Sequence, residues 1–257
     1  MSYQRILLKL SGELFGSKEH SIDKDKIAPY AREIYDIVSL SDGSGNTCQV
    51  GIVLGGGNII RGRDVDFLPR ETADRLGMLG TVMNAIAFQY ILQEAIMESH
   101  KNTVTERVLK NLPKAIIFGA FPHREVVKEY SLDEAMRALH NLPHIVIFTG
   151  GTGNPFFSTD SAAALRGIQI GADCLLKGTK VDGVYDKDPM KYSDAKLFKK
   201  ISFQEVLERR LQVMDLTALT LCMENNLPII VFDITKRGNL KRVIQGENIG
   251  TIVSMEG

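Results

Sequence analysis

Apolar residues fall into two textures along this chain. Short runs of strand length, Ile6 to Leu10, Val50 to Leu54, Ala115 to Phe118, His144 to Phe148, Cys174 to Leu176, Ile229 to Phe232 and Gly250 to Val253, are mostly separated by segments with helical spacing. From Ile22 to Leu40, positions Ile27, Tyr30, Ala31, Ile34, Ile37 and Val38 share one helical face. From Thr72 to His100 the helical segment is longer and apolar around more of its circumference, as in a helix buried on several sides or packed against a partner subunit. This alternation predicts an α/β fold on a mostly parallel sheet with helices on both faces.

The glycines gather where those strands end. Ser11-Gly12 follows the first run, Gly55-Gly-Gly57 the second and Gly150-Gly-Thr-Gly153 a later one, and ligands in such sheets sit beyond the carboxyl ends of the strands. The densest signal runs from Ile145 through Thr149-Gly-Gly-Thr-Gly-Asn-Pro-Phe-Phe-Ser-Thr-Asp160 into Ser161-Ala-Ala-Ala-Leu165: a buried strand, a glycine and hydroxyl loop, then a helix. Glycine lets backbone approach a ligand, Ser158 and Thr159 can cap the helix, and amides at a helix N-terminus attract anions. The segment predicts a phosphate site. Ser41 to Thr47 reads as a flexible surface loop, and Val181 to Pro189 as a turn-rich hairpin or loop.

Composition narrows the classes. Thirty-one basic residues balance 31 acidic ones, leaving no global field to draw in nucleic acid or an acidic membrane. Any positive potential must be local. Cys48, Cys174 and Cys222 lie far apart without CxxC spacing, as expected of reduced cytosolic thiols. His20, His100, His123, His140 and His144 show no metal-ligand spacing. The first residues lack a signal-peptide pattern, and no apolar run approaches the ~20 residues that span a bilayer, so a cytoplasmic protein with no membrane or nucleic-acid requirement is expected. No linker or repeat divides the 257 residues, which suffice to bury one sizeable core.

Common nucleotide signatures are missing. No Gly-Lys-Ser/Thr occurs, and Gly55-Gly-Gly-Asn-Ile-Ile60 lacks the third glycine of the dinucleotide fingerprint. Asp182 to Asp188 has the carboxylate spacing of a calcium loop but neither its glycine nor its final glutamate. Lys9 is a lone cation in an apolar strand; it either snorkels out at a sheet edge or meets an anion at the strand's end. Arg61, after the triple glycine, is either a solvated loop residue or a planar fork for phosphate. Asp74 early in its helix fits a favourable dipole contact or a hydrogen bond to ribose. Asp160 fits capping or chemistry, Asp215 in its apolar context is hard to explain as a solvated charge, and Phe156 and Phe157 either close over a base or pack in the core.

Taken together the motifs are more specific. Leu7-Leu-Lys-Leu-Ser-Gly-Glu13, Gly55-Gly-Gly-Asn-Ile-Ile-Arg61, Gly77-Met-Leu-Gly-Thr-Val-Met-Asn84, Gly151 to Ser161, Lys177-Gly-Thr-Lys-Val-Asp-Gly-Val-Tyr185, Val213-Met-Asp-Leu216 and Leu227-Pro-Ile-Ile-Val-Phe232 follow in order. This set resembles the bacterial uridylate kinases of the amino-acid kinase superfamily nearly end to end. The resemblance implies ATP-dependent phosphorylation of UMP to UDP with magnesium, on a three-layer αβα fold spanning residues 1–257, with an acceptor part over 1–170 and an ATP part over 171–257. It implies Lys9, Leu10, Ser11, Gly12, Gly57 and Arg61 at the ATP phosphates, and Thr179, Tyr185 and Asp188 at the ATP base and ribose. Gly56, Asp74 and Thr152, Gly153, Asn154, Pro155, Phe156, Phe157, Ser158 and Thr159 are implied for UMP. Asp160 and Asp215 would orient the lysines and the magnesium ion, the metal being held mainly by nucleotide phosphates; Lys177 is the further cation expected in the catalytic set. A homohexamer and UTP inhibition are implied as well.

The chemistry is consistent with that inventory. A nucleoside monophosphate has a second pKa of about 6, so its attacking oxygen is already deprotonated at neutral pH. Catalysis must bring two anions together and stabilise the charge on the transferred group, which calls for lysine, arginine, metal and backbone amides. The chain departs from many relatives after Glu13, where Leu14-Phe-Gly-Ser-Lys-Glu-His-Ser21 replaces a glycine-rich segment associated with GTP activation, so that activation is not expected here. The Ser41 to Gln49 loop is longer than usual, and Phe118 to Tyr130 matches no usable motif. A superfamily kinase for a carboxylate or carbamate is the nearest alternative, and a noncatalytic binding or storage protein on the same fold the next. Arg61, Asp74 and the Gly-Asn-Pro-Phe-Phe loop favour a nucleotide acceptor over the first; Lys9, Asp160 and Asp215 together argue against the second.

Overall fold

A computed structural model describes residues 3–40, 47–101, 112–141 and 145–257. The surface loop expected from Ser41 lies outside them up to residue 46, as does His144 at the start of its expected strand. Nine strands form one sheet: β1 (Arg5–Leu10), β2 (Gln49–Leu54), β3 (Ala115–Gly119), β4 (Val127–Glu129), β5 (Ile145–Thr149), β6 (Cys174–Thr179), β7 (Lys200–Ser202), β8 (Ile229–Asp233) and β9 (Thr251–Ser254). Their order is β4-β3-β5-β2-β1-β6-β8-β9-β7, parallel throughout except between β8 and β9.

Because successive strand side chains alternate faces, each apolar run serves two cores. Ile6, Leu8 and Leu10 of β1 join the layer of α1 (Lys24–Val38), α2 (Arg70–Ser99) and α7 (Asn239–Ile244). Leu7 faces the opposite layer, with α3 (Leu132–Asn141), α4 (Thr159–Gln169), α5 (Phe203–Glu208) and α6 (Leu216–Glu224). Buried on both sides, the central strands read as continuous apolar runs. The result is the three-layer αβα arrangement expected.

The structure adds what periodicity missed. Strands β4 and β7 are three residues each and form the two sheet edges, too short to leave a periodic signal. Strand β6 continues past its apolar run through Lys177-Gly-Thr179 because β1 and β8 pair with it on both sides. Within Val181 to Pro189, Tyr185 makes an isolated antiparallel bridge to Leu197. Along α2, Leu79, Met83, Ile86, Tyr90 and Met97 remain exposed, so the helix is not enclosed by its own chain. Among the described residues no helix is long and apolar enough to cross a membrane.

Candidate active site

Since β1, β2, β5 and β6 run parallel and adjacent, their carboxyl ends bring three glycine loops to one edge. Lys9 and Lys177 are paired across β1 and β6, so their side chains leave the same face side by side. Between them stands Asp160, from the first turn of α4: Lys9 Nζ lies 2.8 Å from its Oδ1 and Lys177 Nζ 2.8 Å from its Oδ2. Lys177 also donates to the Val213 carbonyl at 2.6 Å. Lys9 therefore meets an anion rather than snorkelling, and the capping falls to Ser158 rather than Asp160.

Burial by itself would push the Asp160 carboxyl up, but the ammonium groups of Lys9 and Lys177 outweigh it and hold the group below the usual carboxylate range. Burial pushes Lys177 the other way, below an ordinary lysine, and Asp160 only partly restores it. The ammonium groups of Lys9 and Lys177 are thus brought together at the strand ends, where cations suit a phosphate.

Ser158 is the N-cap of α4, accepting from the amides of Asp160 at 2.9 Å and Ser161 at 3.2 Å. Its hydroxyl in turn donates to Asp215 Oδ2. Asp215 caps α6 through the Ala218 amide at 2.9 Å and accepts the Ser161 hydroxyl at 3.0 Å. These bonds lock two helix starts together; it is Asp160 that pairs with both lysines.

The glycine loops are shaped by close approach. A Cβ on Gly56 would lie 2.6 Å from the Gly77 carbonyl oxygen and 2.8 Å from the Thr81 nitrogen, so only glycine lets β2's loop touch α2 there. Buried Thr81 joins α2 to the next loop, lying 2.8 Å from the Thr149 hydroxyl and accepting from the Gly150 amide at 2.8 Å. Gly150 has φ +76°, the left-handed conformation glycine accepts without strain. Asn84, fully buried, donates to the Gly55 carbonyl at 2.7 Å and pairs with Asn58. At the end of β1, the Leu10 carbonyl accepts from the Gly55 amide at 2.8 Å, and Ser11 caps the short turn Gly12–Leu14.

A cavity of about 600 Å³ opens beside these loops, lined in part by Gly56, Gly57, Arg61, Asp74, Phe156, Phe157, Ser158, Thr159 and Asp215. Phe156 and Phe157 are 68% and 48% exposed on its rim, so core packing does not explain the pair. Asp74 accepts the Phe156 amide at 2.8 Å and Arg70 Nε at 2.8 Å, fixing a loop residue whose φ is +72°. Thr152 and Asn154 bond to each other within a tight turn beside Gly153 and Pro155. Arg61 donates to the Gly57 carbonyl at 3.3 Å and to Glu13.

A second cavity, about 840 Å³, is lined by Asp160, Lys177, Asp215 and mainly apolar residues between Val206 and Leu219. Asp215 and Leu216 border both cavities. Thr179, Tyr185 and Asp188 line neither: Thr179 donates to the Val181 carbonyl at 2.8 Å, and Asp188 accepts the Met190 amide at 2.9 Å. Glu13, Thr81, Asn84, Ser161 and Lys180 carry no role legible in the motifs, although Glu13, Ser161 and Lys180 directly follow the site residues Gly12, Asp160 and Thr179. Among the described residues no group of three or more His, Cys, Asp or Glu side chains could hold a metal. All three cysteines are free and buried, and burial pushes Cys48 and Cys222 up to about 12, leaving inert thiols.

An α/β sheet whose strand ends present paired lysines, glycine loops and an acidic hinge is built to handle anionic substrates. The sequence model of the amino acid kinase family matches residues 4–233. A uridylate kinase of Yersinia enterocolitica is 46% identical over 258 residues, covering 99% of this chain and 94% of that protein. The UMP kinase structure from Bacillus anthracis superposes with a TM-score of 0.87 at 32% identity, covering 100% of this chain and 98% of its own. That from Ureaplasma parvum gives 0.82 at 35%, covering 99% and 100%. The chain belongs to the uridylate kinases of the amino acid kinase family.

Proposed function

We propose that the protein transfers the terminal phosphoryl group of ATP to UMP, giving UDP and ADP. The observation that carries this reading is the meeting of two cavities at Asp215 and Leu216, with Asp160 and Lys177 on the wall of the second and Lys9 paired to that same Asp160. UMP occupies the cavity beneath Phe156 and Phe157, against Gly56, Asp74 and the Thr152 to Thr159 loop. Lys9, Leu10, Ser11, Gly12, Gly57 and Arg61 receive the ATP phosphates, while Thr179, Tyr185 and Asp188 hold its base and ribose. The acceptor oxygen needs no strong base. Lys9 and Lys177, fixed by Asp160, stabilise charge spreading over the transferred group.

Magnesium fits this donor set as an ion carried mainly by the nucleotide phosphates: Asp160 is engaged by two lysines, whereas Asp215, on the wall of both cavities, is the carboxylate best placed to approach it. There the ion would neutralise phosphate charge. The acceptor part comprises residues 1–170 and the ATP part 171–257 of one domain working in the cytoplasm. The exposed stripe on α2 supports assembly into a homohexamer through that helix, which light scattering at micromolar concentration tests: a monomer-sized species removes the idea. UTP inhibits and GTP does not activate, as rates with each nucleotide added would show.

The deciding assay is magnesium-dependent ADP release with UMP, CMP, dTMP and N-acetylglutamate as separate acceptors. Turnover with UMP alone is expected. Turnover with the carboxylate would keep the fold and overturn the acceptor site, and turnover with none would overturn the kinase reading.

A further inference from the structure

Glu13 holds two cations at once. One carboxylate oxygen accepts from the Arg61 guanidinium, and the other lies 3.6 Å from Lys180 Nζ. The three residues come from the ends of three adjacent strands: Arg61 from the loop after β2, Glu13 from the turn after β1, and Lys180 directly after β6. Because β1 lies between β2 and β6, the glutamate sits centrally, with a cation on either side. Arg61 faces the 600 Å³ cavity, and Lys180 and Glu13 border a smaller polar one of about 350 Å³.

We propose that Lys180 is a further phosphate-binding residue for the ATP donor, and that Glu13 is an intrachain stand-in for phosphate, holding Lys180 and Arg61 until a polyphosphate displaces it. This rests on the ATP-dependent kinase reading. The guanidinium is already oriented by the Gly57 carbonyl, so exchange of a carboxylate for a phosphate needs no new placement of Arg61. Side-chain exposures of 33%, 45% and 58% for Arg61, Glu13 and Lys180 make the pairs reachable from solvent. Ion pairs of that exposure are weak, and a polyphosphate brings several charges where Glu13 brings one. Glu13 therefore sets donor affinity by competition, as a positioning residue, and takes no part in bond making.

The test uses inorganic tripolyphosphate as the probe, titrated calorimetrically into the full chain. Glu13→Gln should bind it about three- to tenfold more tightly, the size such pairs allow, with KM for ATP falling by the same factor. Lys180→Gln should weaken tripolyphosphate by a similar factor, and adding it to Glu13→Gln should remove much of the gain, since the two residues share a network. A merely structural glutamate would leave tripolyphosphate affinity unchanged or weaken it, and either result overturns the proposal; so does a gain of equal size with and without Lys180. ADP release by the unaltered chain with UMP is measured alongside. Its failure would sink the kinase reading, while the tripolyphosphate titration judges Glu13 and Lys180 without any turnover.

Discussion

Lys9 and Lys177 stand directly opposite each other on parallel strands β1 and β6, and both ammonium groups end 2.8 Å from the single carboxylate of Asp160. Two like charges placed side by side under a helix would repel at considerable cost. Asp160, pairing with both ammonium groups, makes the arrangement tolerable.

Removing one ammonium should therefore act on chemistry more than on the fold. Lys9→Ala is expected to lower turnover by about two or more orders of magnitude while circular dichroism and thermal unfolding remain close to the parent. Turnover within a few-fold of the parent would make Lys9 structural.

Asp160 carries the pH dependence. Its folded carboxyl lies below the ordinary range, so it contributes stability that is present above the unfolded pKa of about 3.9 and is lost as pH falls through the lower folded value. Urea titrations from pH 6 downward should show this acid loss in the parent and a shallower one in Asp160→Asn. At neutral pH the same variant, with two buried ammonium groups left facing an amide, should lose about 3–5 kcal/mol. Equal slopes below pH 4 in both proteins would refute the assignment.

Asp215 separates capping from chemistry. Asp215→Ser retains a side-chain oxygen for the Ala218 amide, whereas Asp215→Ala does not. The alanine variant should lose about 0.5–2 kcal/mol more than the serine variant in chemical denaturation. Both should show depressed kcat with ATP and UMP, because the carboxylate between the two cavities is gone in each. Full activity in the serine variant would reduce Asp215 to a helix cap.

Thr81→Val keeps the shape but removes the hydroxyl that accepts from the Gly150 amide. A buried N–H left unpaired should cost about 1–3 kcal/mol, with KM for UMP rising because the same loop leads into Thr152 to Thr159. Unchanged unfolding free energy would show that the amide finds another partner.

How far the sequence reached differs by residue. Lys9 was conspicuous because a cation inside an apolar strand violates the pattern, but its spacing left snorkelling and pairing equally open. Ser158 was legible as a cap from local order alone, and the structure agrees at 2.9 Å and 3.2 Å. Asp160 and Asp215 stand out together in the sequence, yet only their packing shows which one meets the lysines and which one ties α4 to α6. Thr81 and Asn84 lie in one of the motifs that carry the resemblance, but their roles are not legible there, since polar residues within a helical stretch look alike until their partners on other elements are known.

The sequence by itself determined the alternation of strand and helix, the parallel sheet that follows from it, and the glycine loops at one edge, because these depend on periodicity and on local backbone freedom. Only the tertiary structure decided that β6 lies beside β1, and hence that Lys177 faces Lys9 across Asp160 while Glu13 falls between Arg61 and Lys180. Such pairings join residues up to 168 positions apart in register, and which strand becomes a neighbour is settled by the burial of whole faces, information that no local segment holds.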